Sequence, residues 1–139
     1  MKKSLLAVTL MILAACLAGC LVIVDEETRG PKDRPPEPTE RTIAEIDAVS
    51  KLTFDSDKRE GYKRIAARAG ISPDAQVYLV EATFAKLVFD NAKEDVLLTL
   101  IGNRSFSEAA EQTILENLDR LPFDNSKQKV LRAISERKG

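Results

Sequence analysis

The sequence predicts an all-α domain of three stacked helix-pair repeats, six helices in a short right-handed α-solenoid-like bundle. Three observations predict it. A five-residue phrase, Phe-Asp-Ser/Asn-x-Lys, occurs as Phe54-Asp55-Ser56-Asp57-Lys58, Phe89-Asp90-Asn91-Ala92-Lys93 and Phe123-Asp124-Asn125-Ser126-Lys127, with its phenylalanines 35 and 34 residues apart. A fixed period of about 20–50 residues marks a repeat architecture. Apolar residues recur three and four apart on both sides of each phrase, which is the period of an amphipathic helix. Helix punctuation falls between these stripes, with Ser72-Pro73-Asp74 at one start and Gly70 and Gly102 at two ends.

The chain begins with a different texture. Met1-Lys2-Lys3-Ser4 is cationic, Leu5 to Ala18 is apolar, and small residues follow. A positive start, an apolar stretch and small residues at a cut site make a secretory signal peptide. Residues 25–39 carry four prolines and alternating charges with no large apolar side chain. Such composition makes an extended linker rather than a core element. At about 3.1 Å per residue in polyproline geometry, it would hold the domain on the order of 45 Å from its anchor.

Each phrase lies between an A helix and a B helix. The first A helix is predicted from about Glu40 to Leu52, with Ile43, Ile46, Val49 and Leu52 on one stripe. The second starts at Ser72-Pro73-Asp74, an N-cap, a proline at the first helical position and an acid in the first turn. Its stripe is Val77, Val80, Phe84 and Leu87. The third starts near Ser105 or Ser107, where Ser105-x-x-Glu108 has the capping-box form, and carries Ile114, Leu115, Leu118 and Leu121. The B helices start just after each phenylalanine. Asn91-x-x-Glu94 and Asn125-x-x-Gln128 fit a capping box, with Asp55 or Ser56 in the corresponding role in the first repeat. Tyr62 and Ile65, Leu97 and Leu100, and Leu131 and Ile134 form their apolar faces, with Gly61, Val96 and Val130 beside them. Gly70 and Gly102 are placed to close the first two B helices in the left-handed conformation.

The phrase therefore reads as a helix–helix corner. The leucine two places before each phenylalanine (Leu52, Leu87, Leu121) and the phenylalanine itself are expected to pin the joint. Asp55, Asp90 and Asp124 are expected to cap the B helices, so that Asp90→Ala would cost about 1 kcal/mol as a lost cap. Lys58, Lys93 and Lys127 point along the buried stripe, their stems packed and their ammonium groups reaching the aspartate or the last A-helix carbonyls.

Two resemblances bear on place and fold. Leu17-Ala18-Gly19-Cys20 resembles the lipobox of bacterial lipoproteins. That resemblance implies cleavage before Cys20, lipidation of Cys20 and anchoring to a membrane of the cell envelope, with residues 1–19 removed as signal peptide and residues 20–39 as tether. Cys16 then leaves with the signal. Leu21 after the cysteine favours the outer membrane by resemblance to enteric lipoproteins, and the periplasmic side is expected rather than the surface. The residues alone leave an uncleaved anchor open, because Leu5 to Val24 is twenty residues without a charge. Over residues 48–136, the corners resemble a domain of unknown function from secreted proteins, built from short helical repeats with Phe-Asp-x-x-Lys/Arg corners. It implies a fold for residues 40–139 and no catalytic residues.

Composition narrows the chemistry. The 139 residues contain no histidine and no tryptophan, and only Cys16 and Cys20 as thiols. That removes the commonest general base and the commonest neutral metal ligand. The formal net charge of −1 becomes −3 once Lys2 and Lys3 depart with the signal, so no nucleic-acid partner is expected. Asp55-Ser56-Asp57 opens like a calcium loop but has Glu60 and Ala66 where glycine and glutamate are required, so no metal or cofactor is expected. Arg59, Lys63, Arg64, Arg68, Lys129 and Arg132 make two B helices basic, while Glu108, Glu111, Glu116 and Asp119 make the third A helix acidic. Either A and B helices attract each other, or the B helices present a basic face to an anionic polymer, lipid headgroups or an acidic protein. The expectation is a non-catalytic binding or scaffold module at the envelope. The alternative is a carboxylate-dependent hydrolase of envelope polymers, needing two close acids.

Overall fold

The computed structural model describes residues 38–139. The signal peptide, Cys20 and nearly all of the linker lie outside the described residues. Among those described, six α-helices occur: α1, Pro38–Ser50; α2, Asp55–Ala66; α3, Pro73–Lys86; α4, Asp90–Ile101; α5, Glu108–Glu116; and α6, Asp124–Lys138. A 3-10 turn, Leu118–Arg120, follows α5. No strand occurs among the described residues.

The A helices α1, α3 and α5 pack side by side, and so do the B helices α2, α4 and α6. Helices of one pair meet across the corner, α1 with α2 and α3 with α4. The result is two layers of three, with the core between them. Ile46, Tyr62, Ile65, Leu79, Val80, Val96, Leu97, Leu100, Ile114, Val130 and Ile134 fill that core. One helix pair cannot bury its apolar face alone, and stacking three pairs makes one continuous interior. α2 comes unusually close to α1 at Gly61, where a Cβ would lie 2.7 Å from a Val49 methyl.

Local signals set most helix ends. Ser72 accepts from Ala75 N at 3.3 Å, with Pro73 at the first helical position. Ser107, not Ser105, caps α5, accepting from Ala110 N at 3.2 Å. Ser105 turns back instead and accepts the Gly70 N–H at 3.0 Å. Gly70 takes the left-handed conformation with φ +72°, whereas Gly102 closes α4 at φ −69° in the ordinary right-handed region.

Most of the expected stripe residues are buried, and the exposed exceptions lie in the first and third repeats. Leu87 and Leu121 are 3% and 0% exposed, but Leu52 is 42% exposed. Leu131 is also exposed, although Leu97 at the same repeat position is buried. Leu115 is exposed as well. The buried line of α5 is Ala110 and Ile114, four residues apart, and Leu115 lies one residue round the helix from it.

Candidate phenylalanine edge and corner clefts

The corner phrase is built differently from the expected pin and cap. Phe54, Phe89 and Phe123 are themselves the N-cap residues of α2, α4 and α6, with extended torsions and no side-chain cap bond. Their carbonyls accept the first helical bonds, from Lys58 N at 3.1 Å, Lys93 N at 3.2 Å and Lys127 N at 3.2 Å. The rings are not pins. They are 67%, 63% and 65% exposed. Ser72 and Ser107 have the same extended N-cap torsions and turn their hydroxyls back onto the first turn, but a phenyl ring has no such bond to make, and each phenylalanine works through its backbone with its ring outside.

The aspartates, at the first helical position, do not cap their own helices either. Asp55 reaches into the next repeat, accepting Val88 N–H at 3.0 Å and Phe89 N–H at 3.2 Å on its two oxygens. At the next junction Pro122 stands where Val88 does and has no N–H to offer. Asp90 is 9% exposed, and neither of its carboxylate oxygens has a partner. Asp124 lies open to solvent and pairs with Lys127 at 3.5 Å. Lys58 reaches a helix-terminal carbonyl at 3.5 Å, but it is that of Lys86 in the following A helix. Lys93, half-buried, makes no side-chain bond among the described residues.

Two clefts open between successive corners. The first, about 350 Å³, is bounded by Phe54 and Phe89 and lined by Asp55, Ser56, Arg59, Asn91 and Ala92. The second, about 520 Å³, is bounded by Phe89 and Phe123 and lined by Asp90, Asn91, Glu94, Asn125, Ser126 and Lys129. In the second, Glu94 accepts from Ser126 Oγ at 2.7 Å and Lys129 Nζ at 2.8 Å. Burial pushes the Glu94 carboxyl up, but the Lys129 and Ser126 hydrogen bonds and the Lys129 charge outweigh it, and the net displacement is downward. A carboxylate held below its ordinary value of 4.5 contributes stability at neutral pH that is lost as pH falls through and below that value. Glu94→Gln is therefore expected to flatten the acid limb of a stability–pH curve below about pH 4.5. An unchanged acid limb would show that the pair contributes nothing.

Of the two alternatives for the six cations, mutual attraction or a basic face, the ion pairs favour attraction, since four of the six are committed to acids of the same fold. Arg59 lies 3.2 Å from Glu60 and 3.7 Å from Asp95, and Lys63 lies 3.9 Å from Asp95. Arg68 holds both oxygens of Glu45, at 2.9 and 2.8 Å, and Lys129 holds Glu94. Arg64 and Arg132 are exposed and make no ion pair among the described residues. The pairs on Asp95 and Glu94 run between neighbouring B helices, so those cations tie the stack together rather than presenting free charge. No group of three or more metal-ligating side chains gathers among the described residues, including at Asp55-Ser56-Asp57.

Sequence reading missed the polar ties between repeats. Asn103 Nδ2 donates to Ala66 O at 2.7 Å and Arg68 O at 2.8 Å. Arg137, at the same distance beyond its own corner, donates to Ile101 O at 2.7 Å and Asn103 O at 2.8 Å. Their common offset from Phe89 and Phe123 was the available signal, hidden because the two residue types differ. Comparison with protein-family models, with curated proteins and with solved structures finds no match to this chain.

Proposed function

We propose that the chain is a lipid-anchored protein of the bacterial cell envelope, at the outer membrane, and that its helical-repeat domain is a non-catalytic binding module. Its recognition surface is the edge carrying Phe54, Phe89 and Phe123. The observation that supports this reading most is the exposure of all three rings, each about two-thirds open, at one repeat position above two clefts. Burying a phenylalanine side chain is worth about 1.5–3 kcal/mol. Three open rings leave several such increments to a partner, and aromatic residues are the usual anchors of protein interfaces. A phenylalanine with only a backbone duty at an N-cap would be a poor choice, since Ser, Thr, Asp and Asn cap better.

The envelope location rests on the resemblance of Leu17-Ala18-Gly19-Cys20 to a lipobox. Among the described residues no helix is long and apolar enough to cross a membrane. Cys20→Ala is expected to abolish labelling by a radioactive or clickable fatty acid and to release the domain from membranes. Continued membrane association would favour an uncleaved anchor.

For the recognition surface, the test is crosslinking in intact envelopes with the full lipoprotein as bait. The triple change Phe54→Ser, Phe89→Ser, Phe123→Ser should remove the crosslinked species while leaving thermal unfolding little altered, because the rings support no core. Retention of the same species in the triple variant would overturn the assignment. A hydrolase would need a carboxyl held protonated near neutral pH. Glu94, in the larger cleft, is displaced in the opposite direction.

A further inference from the structure

We propose that the cleft between the second and third corners binds an organic cation, a primary ammonium or guanidinium group, with Asp90 as its counter-ion and the rings of Phe89 and Phe123 as its walls. This rests on the reading of the phenylalanine edge as a recognition surface and gives that surface a ligand class.

Both clefts have two phenylalanine walls and a corner aspartate, but Arg59 lines the first where Glu94 lines the second, and the two aspartates are held differently. In the first, the Asp55 carboxylate is occupied by the Val88 and Phe89 N–H groups. In the second, Pro122 removes one donor, and both Asp90 oxygens are buried with nothing donating to them. A desolvated carboxylate without a donor is costly, and native structures seldom tolerate one that has no use. The cation at the rim does not serve it. Lys129 is bound to Glu94 at 2.8 Å, and the Ser126 hydroxyl donates to the same carboxylate at 2.7 Å. The Glu94–Lys129 pair cancels, and Asp90 remains the one uncompensated charge of the lining.

That remainder selects the ligand. An anion would meet Asp90 unfavourably, and a neutral polyol would leave the charge standing. An ammonium or guanidinium neutralises it and supplies charge-assisted N–H donors to both oxygens. Phenyl faces attract such a cation electrostatically, which neither an amide nor a hydroxyl wall does as well. Asn91 and Asn125, exposed at the rim and making no side-chain bond among the described residues, add amide oxygens for its remaining N–H groups. A volume of about 520 Å³ accommodates such a group with its alkyl stem. The Asp90 oxygens are shut off from solvent, so binding includes a turn of a rim side chain. The two largely exposed rings are free to make it.

The cation could arrive as a free amine or on an arginine or lysine of a protein partner. Titration calorimetry on the full lipoprotein in detergent separates these, using three probes: acetyl-arginine amide, its neutral isostere acetyl-citrulline amide, and putrescine. Acetyl-arginine amide or putrescine should bind, and the citrulline probe at least tenfold more weakly than its arginine counterpart. Preference for putrescine assigns a free amine, and preference for the arginine probe assigns a protein side chain. Asp90→Asn should weaken binding at least tenfold, while Asp124→Asn, at the same repeat position but exposed, should leave it unchanged. Pro122→Ala restores the missing N–H and should weaken binding without touching the acid, which covers the case of a poorly folded Asp90 variant. Equal binding of citrulline, undiminished binding in both Asp90→Asn and Pro122→Ala, or no cation binding at millimolar concentration overturns the proposal. If no cation binds while the triple phenylalanine variant still loses its crosslinks, only the ligand class fails. If those crosslinks persist, the recognition surface itself is wrong, whatever the amines do.

Discussion

Gln76→Leu should lower the unfolding free energy by about 3 kcal/mol, the sum expected when several buried backbone groups lose their partners at about 1 kcal/mol or more each. Gln76 is fully buried on α3. Its Nε2 donates to Ile71 O at 2.8 Å and Ser105 O at 2.7 Å, and its Oε1 accepts Ser107 N–H at 2.8 Å. One side chain thus ties the loop before α3 to the loop before α5. Leucine fills a similar volume, so the loss isolates the polar term from any cavity. Chemical denaturation measures it. Hydrogen exchange should show the effect concentrated at residues 103–107, where the third repeat would loosen first. A loss under about 1 kcal/mol would mean that water substitutes for the amide.

The second large effect is a contrast between two residues of one motif. Asp55→Ala should cost about 2 kcal/mol, because it removes two charge-assisted bonds to backbone N–H groups at a half-exposed junction. Asp90→Ala should cost less than about 0.5 kcal/mol, since that carboxylate makes no bond and is relieved of an unpaired burial. Paired urea curves on the two variants decide it. Equal losses would mean that Asp90 finds a donor in solution and that the two junctions are closed alike.

The contrast explains where sequence reading succeeded. Helix existence follows from apolar residues three and four apart, a property of contiguous residues. Ile65, Leu97 and Ile134 could be placed on buried faces from that spacing, and Ser72-Pro73 marked a helix start because a cap acts on the turn beside it. The exposure of the Phe89 ring was not legible, because apolar character suggests burial, while at an N-cap the phenylalanine serves through its carbonyl and its ring has no cap bond to make. The choice between paired and free basic residues was not legible in the sequence, because Asp95 and Glu94, which pair with Lys63 and Lys129, lie more than thirty residues away along the chain.

By itself, the sequence determined the period, the number of helices and most of the positions that face the interior, because each depends on local spacing repeated three times. Tertiary structure alone decided which way the corner groups face. Asp55 and Asp90 share one motif and one local geometry. Their fates diverge: Val88 and Phe89 both donate to Asp55, while at the next junction Pro122 has no N–H and the Phe123 N–H does not reach Asp90. A donor that exists only when two repeats stack cannot be read from either repeat alone.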